Sequence, residues 1–130
     1  MKLSTFLAIM GGLGVLFGLE FLLVPGVGLP QYGVPTEPHN LMQARYFGGT
    51  LLAWGLVAWL ARRSRDDIAV RAILQGSLVG HIIGAFLSAW AAVSGLENAM
   101  AWSSVAIYGL LGAGCVYFLA SPMRRASAAL

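Results

Sequence analysis

Three ionisable side chains lie inside apolar stretches of this 130-residue chain: Glu20 in "FGLEFLLV", Arg45 in "MQARYFGG" and His81 in "LVGHIIGA". Each costs on the order of 2.5–3.5 kcal/mol in a lipid environment, so each needs a partner or a role. Glu20 precedes the end of its stretch at Val24 by four residues, and Arg45 follows the start of its stretch at Leu41 by four. At about 1.5 Å per helical residue, both sit about 6 Å below the same end of two adjacent antiparallel helices. This depth match predicts a charge-assisted Glu20–Arg45 pair. Two uses are open to such a pair: a staple between helices, or the polar floor of an outward-opening pocket for an anionic headgroup or carboxylate. Tyr46 beside Arg45, and Tyr32 in the segment above, complete that candidate ligand site together with His81. On its own, His81 reads as a neutral core histidine bonded to a hydroxyl such as Ser77 or to a carbonyl. A proton relay with Glu20 is the functional alternative. His39 lies outside the apolar stretches, so no second histidine supports a metal site, and neither catalytic residues nor a cofactor is assigned.

The elements that position these groups follow from composition. Hydrophobic residues make up 58% of the chain and charged residues 10%, against roughly 25% charged in soluble domains. The mean hydropathy is +0.79. Four stretches approach or exceed the roughly 20 residues a membrane helix needs: about 3–24, 41–61, 68–93 and 100–120. Lipid offers the backbone no hydrogen bonds, so each is expected to be helical. The expected fold is all-α: a single integral-membrane domain over residues 1–130, a four-transmembrane-helix antiparallel bundle with an outer loop at 25–40 holding four of the five prolines. Arg45 belongs within its span, because a helix starting at Tyr46 would reach only about 24 Å before Arg62, short of a core about 30 Å thick. The first stretch reads as a retained helix, since its apolar part exceeds that of a signal peptide and no small-residue cleavage site precedes Pro25. Cys115, the single cysteine, has no disulfide partner in the chain.

Seven of the eight basic residues, Lys2, Arg62, Arg63, Arg65, Arg71, Arg124 and Arg125, fall at the chain ends or around the second link. The positive-inside rule therefore places both termini in the cytoplasm. The net charge of +3 reflects topology and does not indicate nucleic-acid binding. Trp90 and Trp102 fall toward the outer helix ends, Trp59 and Tyr117 toward the inner ones, and Trp54 alone breaks this belt.

Small residues let membrane helices approach. Gly14 and Gly18 mark such a face on the first helix. Ala72, Gly76, Gly80, Gly84, Ser88 and Ala92 form a ridge along the third, for bundle packing or for a homodimer or membrane-complex partner. Residues 51–61 match 110–120 at six of eleven positions, which suggests two tandem helical hairpins.

"LVPGVGLPQYGVP", "ARYFGGTLLAWGLVAWLARR", the glycine-rich third helix and the terminal "YFLASP" together resemble small four-helix bacterial inner-membrane proteins of unknown function, the DoxX-like families and their relatives. The resemblance covers nearly the whole chain and implies the fold and location but no chemistry. The main functional expectation is a binder of membrane lipid or a hydrophobic small molecule, or an accessory membrane subunit. Two rivals stand beside it. The chain is similar to small multidrug exporters in length, in having four passes and in a first-helix carboxylate, Glu20, but departs from them in its basic asymmetry and in Arg45. An isomerase-type enzyme would use Glu20 and His81 as acid and base on a lipid-like substrate.

Overall fold

The computed structural model describes residues 1–121; Arg124 and Arg125 lie outside them. Five helices follow one another: α1 (Leu3–Leu23), α2 (Pro25–Gln31), α3 (Pro38–Ala61), α4 (Asp67–Ser94) and α5 (Ala101–Ala120). No strand occurs among the described residues. Helices α1, α4 and α5 are long and apolar enough to cross a membrane. Helix α3 has the length, but its first turns carry His39, Asn40, Gln43 and Arg45.

Two expectations about the segment between the first two long helices need correction. The expected outer loop 25–40 contains α2, and α3 begins at Pro38 and not at Leu41. Both changes have one cause: Pro25 and Pro38 occupy first-turn positions, where a fixed φ suits the helix and the missing N–H would be unpaired anyway. Gly33, at φ +76°, supplies the left-handed turn that ends this excursion. Helix α4 is capped by Asp66, whose carboxylate accepts from the N–H groups of Ile68 (2.9 Å) and Ala69 (3.1 Å), as an N-cap does. It ends at Gly95, φ +75°, the left-handed residue that closes many helices.

The long helices form two antiparallel hairpins, α1 with α3 and α4 with α5, and the two hairpins touch sparingly. In α1/α3 the backbones themselves meet. A Cβ on Gly11 would lie 2.6 Å from the backbone nitrogen of Trp59, one on Gly14 2.8 Å from the Cα of Gly55, and one on Gly18 2.5 Å from the nitrogen of Leu52. Gly48 and Gly55 answer from α3, against Leu22 and Val15. Backbones this close gain dispersion contacts along the seam that side chains at these positions would block.

The ridge on α4 behaves differently from its sequence expectation. Gly84 is filled by the Tyr108 ring and Gly76 faces the Trp54 indole, whereas Gly80 faces open space. Periodicity marks a face of a helix; it does not reveal whether a neighbour stands before it.

The hairpins share a buried apolar core at one end, and at the other they are tied by polar contacts between their links. Phe6, Leu7 and Met10 of α1, Ala58 and Ala61 of α3, Val70 and Leu74 of α4, and Cys115 and Phe118 of α5 form a common buried core. The Phe6 ring lies 5.2 Å from that of Phe118. Lys2, Arg62, Arg63, Arg65 and Arg71 gather at this end by chain position. Beyond it the hairpins part.

Candidate functional site

The space between the parted hairpins is a cavity of about 570 Å³, within the range of about 300–1,000 Å³ typical of small-molecule sites. Its walls are apolar. Phe17 and Phe21 come from α1, Phe47 and Leu51 from α3, Leu87 from α4, and Ile107 and Leu111 from α5. From Met10 to Phe21 along α1, or from His81 to Ala91 along α4, the lined depth is about 15 Å by helical rise.

At the deep end the polar groups are few and specific. The Trp54 indole N–H of α3 donates to the Ser77 hydroxyl of α4 at 3.0 Å, one of the few direct links between the hairpins. Ser77 is 1% exposed. One turn further along α4, His81 is 8% exposed, lines the cavity and has no hydrogen-bond partner for Nε2. The Tyr108 ring stands beside it, centroids 5.9 Å apart. The expected bond from His81 to Ser77 is therefore not made, and the Ser77 hydroxyl serves Trp54.

The other end is roofed by the segment after α2 and by the α4–α5 link. The Asn98 side-chain amide donates to the Gln31 carbonyl (2.9 Å), and its backbone N–H donates to the Tyr32 carbonyl (2.8 Å). The Ser104 hydroxyl donates to the Tyr32 phenol oxygen at 3.3 Å. Asn40, Gln43 and Glu97 also border the cavity here, and partial burial raises the Glu97 carboxyl above its ordinary range.

The residues selected from the sequence divide into two groups. His81 and Tyr32 line the cavity; Glu20, Arg45 and Tyr46 do not. The expected Glu20–Arg45 ion pair is absent: Glu20 accepts from the Gln31 amide at 3.2 Å, and Arg45 is exposed. Depth along a helix leaves azimuth undetermined. Gly18 is the residue that meets α3, and Glu20, two positions on, is turned about 200° from it. Matching depth on two helices therefore did not bring these side chains together.

Trp54, Tyr108, Glu97 and Asn98 are site residues that the sequence reading does not select, and Ser77, expected beside His81, bonds to Trp54 instead. Trp54 carried a signal, being the aromatic residue that departs from the interfacial belts. The rest lacked one, because tyrosine and asparagine at such positions also suit lipid interfaces and helix caps.

Chemically, the arrangement offers a single buried hydrogen-bonding atom without a partner among the described residues, on a histidine at the floor of an apolar chamber. Acid and base must converge on one substrate atom, but Glu97 lies at the opposite end from His81 and Glu20 lies outside the lining. Among the described residues, no group of three or more His, Cys, Asp or Glu side chains is placed to hold a metal ion. Comparison with protein-family models, curated proteins and solved structures gives no match to this chain.

Proposed function

We propose that the chain is a small multi-pass protein of a bacterial inner membrane that binds a hydrophobic or lipid-like molecule between its two hairpins. In this reading α3 crosses the bilayer with α1, α4 and α5, giving four transmembrane helices with both termini cytoplasmic. The lengths and apolar character of α1, α4 and α5 support it. So does the gathering of Lys2, Arg62, Arg63, Arg65 and Arg71 at the joined end, the pattern of a cytoplasmic face.

The observation that carries the binding role is the 570 Å³ cavity, lined at its floor by His81, whose buried Nε2 has no partner in the protein. A structural subunit gains nothing from an unfilled interior, because close packing is what holds membrane helices together. The exporter and isomerase readings both depend on Glu20, which is engaged by Gln31 at the roof.

The test is occupancy. Protein purified in mild detergent and analysed by native mass spectrometry should carry a bound hydrophobic molecule at one per chain, and Ser88→Phe, which fills the cavity from α4, should lose it. Absence of any bound or exchangeable molecule in a folded wild-type protein would reject the binding role.

A further inference from the structure

We propose that the ligand is an uncharged amphiphile seated polar group first, with a hydroxyl or carbonyl hydrogen-bonded to Nε2 of His81 and its apolar body along the cavity wall. This inference rests on the binding role proposed above and names the chemistry that the site selects.

Four observations converge on it. His81 lines the cavity and its Nε2 is buried and unpartnered, and a buried polar atom in that condition normally has a partner. Ser77, one turn away on the same helix, accepts from Trp54 and makes no bond to His81, so the protein does not supply that partner. The adjacent walls are hydrocarbon and aromatic: Met10, Phe17, Leu51 and Leu111. Finally, no lysine or arginine lines the cavity among the described residues, and its one carboxylate, Glu97, sits at the opposite end.

Charge is therefore excluded at the deep end from both sides. A carboxylate or phosphate there would meet no lysine or arginine and would need His81 to take up a proton in an apolar site, and an ammonium would meet no anion; an isolated ion in an apolar chamber is strongly disfavoured. Neutral imidazole offers one donor and one acceptor. A hydroxyl satisfies Nε2 in either tautomer, and a carbonyl satisfies it when Nε2 carries the proton. The anionic headgroup expected from Arg45 is replaced by a neutral one, because Arg45 does not face the cavity.

Three probes sharing one chain separate these cases: dodecane, dodecanol and dodecanoate. Each competes against a photoreactive dodecanol analogue for the protein in phosphatidylcholine nanodiscs, with labelled peptides mapped by mass spectrometry. Dodecanol should compete best, with labelling on α1, α4 and α5 around the cavity. In His81→Leu, dodecanol should lose about three- to tenfold in affinity, the worth of one hydrogen bond, while dodecane gains. His81→Gln, which keeps a donor and an acceptor, should retain the preference for dodecanol. Equal competition by dodecane and dodecanol, unchanged in His81→Leu, would overturn the His81 anchor and leave the binding role standing. Strongest competition by dodecanoate would overturn the neutral-ligand assignment. No saturable cavity labelling by any probe would reject both the anchor and the binding role.

Discussion

Replacing Gly18 and Gly80 by alanine should have opposite effects, although both glycines lie on small-residue faces with the same four-residue spacing. A Cβ at Gly18 would stand 2.5 Å from the backbone nitrogen of Leu52 and 2.7 Å from its Cα. Ordinary carbon contacts need about 3.5–4.0 Å, so α1 and α3 must separate by about 1 Å. A gap of that size forfeits a quarter to a half of the dispersion along the seam, and overpacking of this kind costs about 1–3 kcal/mol. The obstacle is backbone, which cannot rotate aside, so the cost belongs at the upper end, about 3 kcal/mol. Alanine's helix propensity returns about 1 kcal/mol, leaving Gly18→Ala destabilised by about 2 kcal/mol. A Cβ at Gly80 meets nothing within 4 Å, so Gly80→Ala keeps only the propensity gain of about 1 kcal/mol. The pair should thus differ by about 3 kcal/mol. Reversible unfolding of each variant in mixed micelles, followed by tryptophan fluorescence, measures the difference. Equal destabilisation by the two substitutions would refute the assignment of the tight seam to α1/α3, and loss of stability in Gly80→Ala alone would place a second copy or another subunit on α4.

Other expectations concern the two ends of the cavity. Trp54→Phe removes the donor to the buried Ser77 hydroxyl and should cost about 1–3 kcal/mol. Adding Ser77→Ala should restore part of that, as a double-mutant cycle would show; strictly additive losses would deny the contact. Asn98→Ala deletes the side-chain bond to the Gln31 carbonyl and the bond its Oδ1 accepts from the Met100 N–H. A loss of about 1–2 kcal/mol should speed amide hydrogen exchange at residue 98 about 5–30-fold, with little change in the α1/α3 seam. Glu97 gives a pH signature. Burial raises its folded pKa above the ordinary value of 4.5, so the folded state holds the proton more tightly than the unfolded one, and stability falls as pH rises from about that value through the folded pKa. Glu97→Gln should flatten this part of the stability profile, and an unchanged slope would show that Glu97 does not contribute to it.

The resistance of parts of this structure to sequence reading has a geometric origin. Helical content and three apolar spans were legible because lipid allows few backbone structures and because hydrophobic length is additive along the chain. The polar residues in those spans were also legible as exceptions. Their pairing was not. Depth along a helix follows from residue number, whereas which neighbour a side chain meets depends on azimuth and on the helix that stands opposite. Arg45 illustrates both halves: its unusual position is visible in the sequence, yet the partner inferred for it bonds to Gln31 instead.

What the sequence by itself determined is an all-helical chain rich in membrane-length apolar segments, basic at one end, with His81 and Trp54 departing from the surrounding pattern. Only the tertiary structure decided that α1 and α3 fuse along glycines while α4 and α5 pair separately, that the hairpins share an apolar core at one end and polar link contacts at the other, and that a cavity lies between. The physical reason is that helices apolar on nearly every face do not choose partners by hydrophobicity alone. The choice passes to close backbone approach and a few directional hydrogen bonds, both of which are properties of pairs of helices and not of any single one.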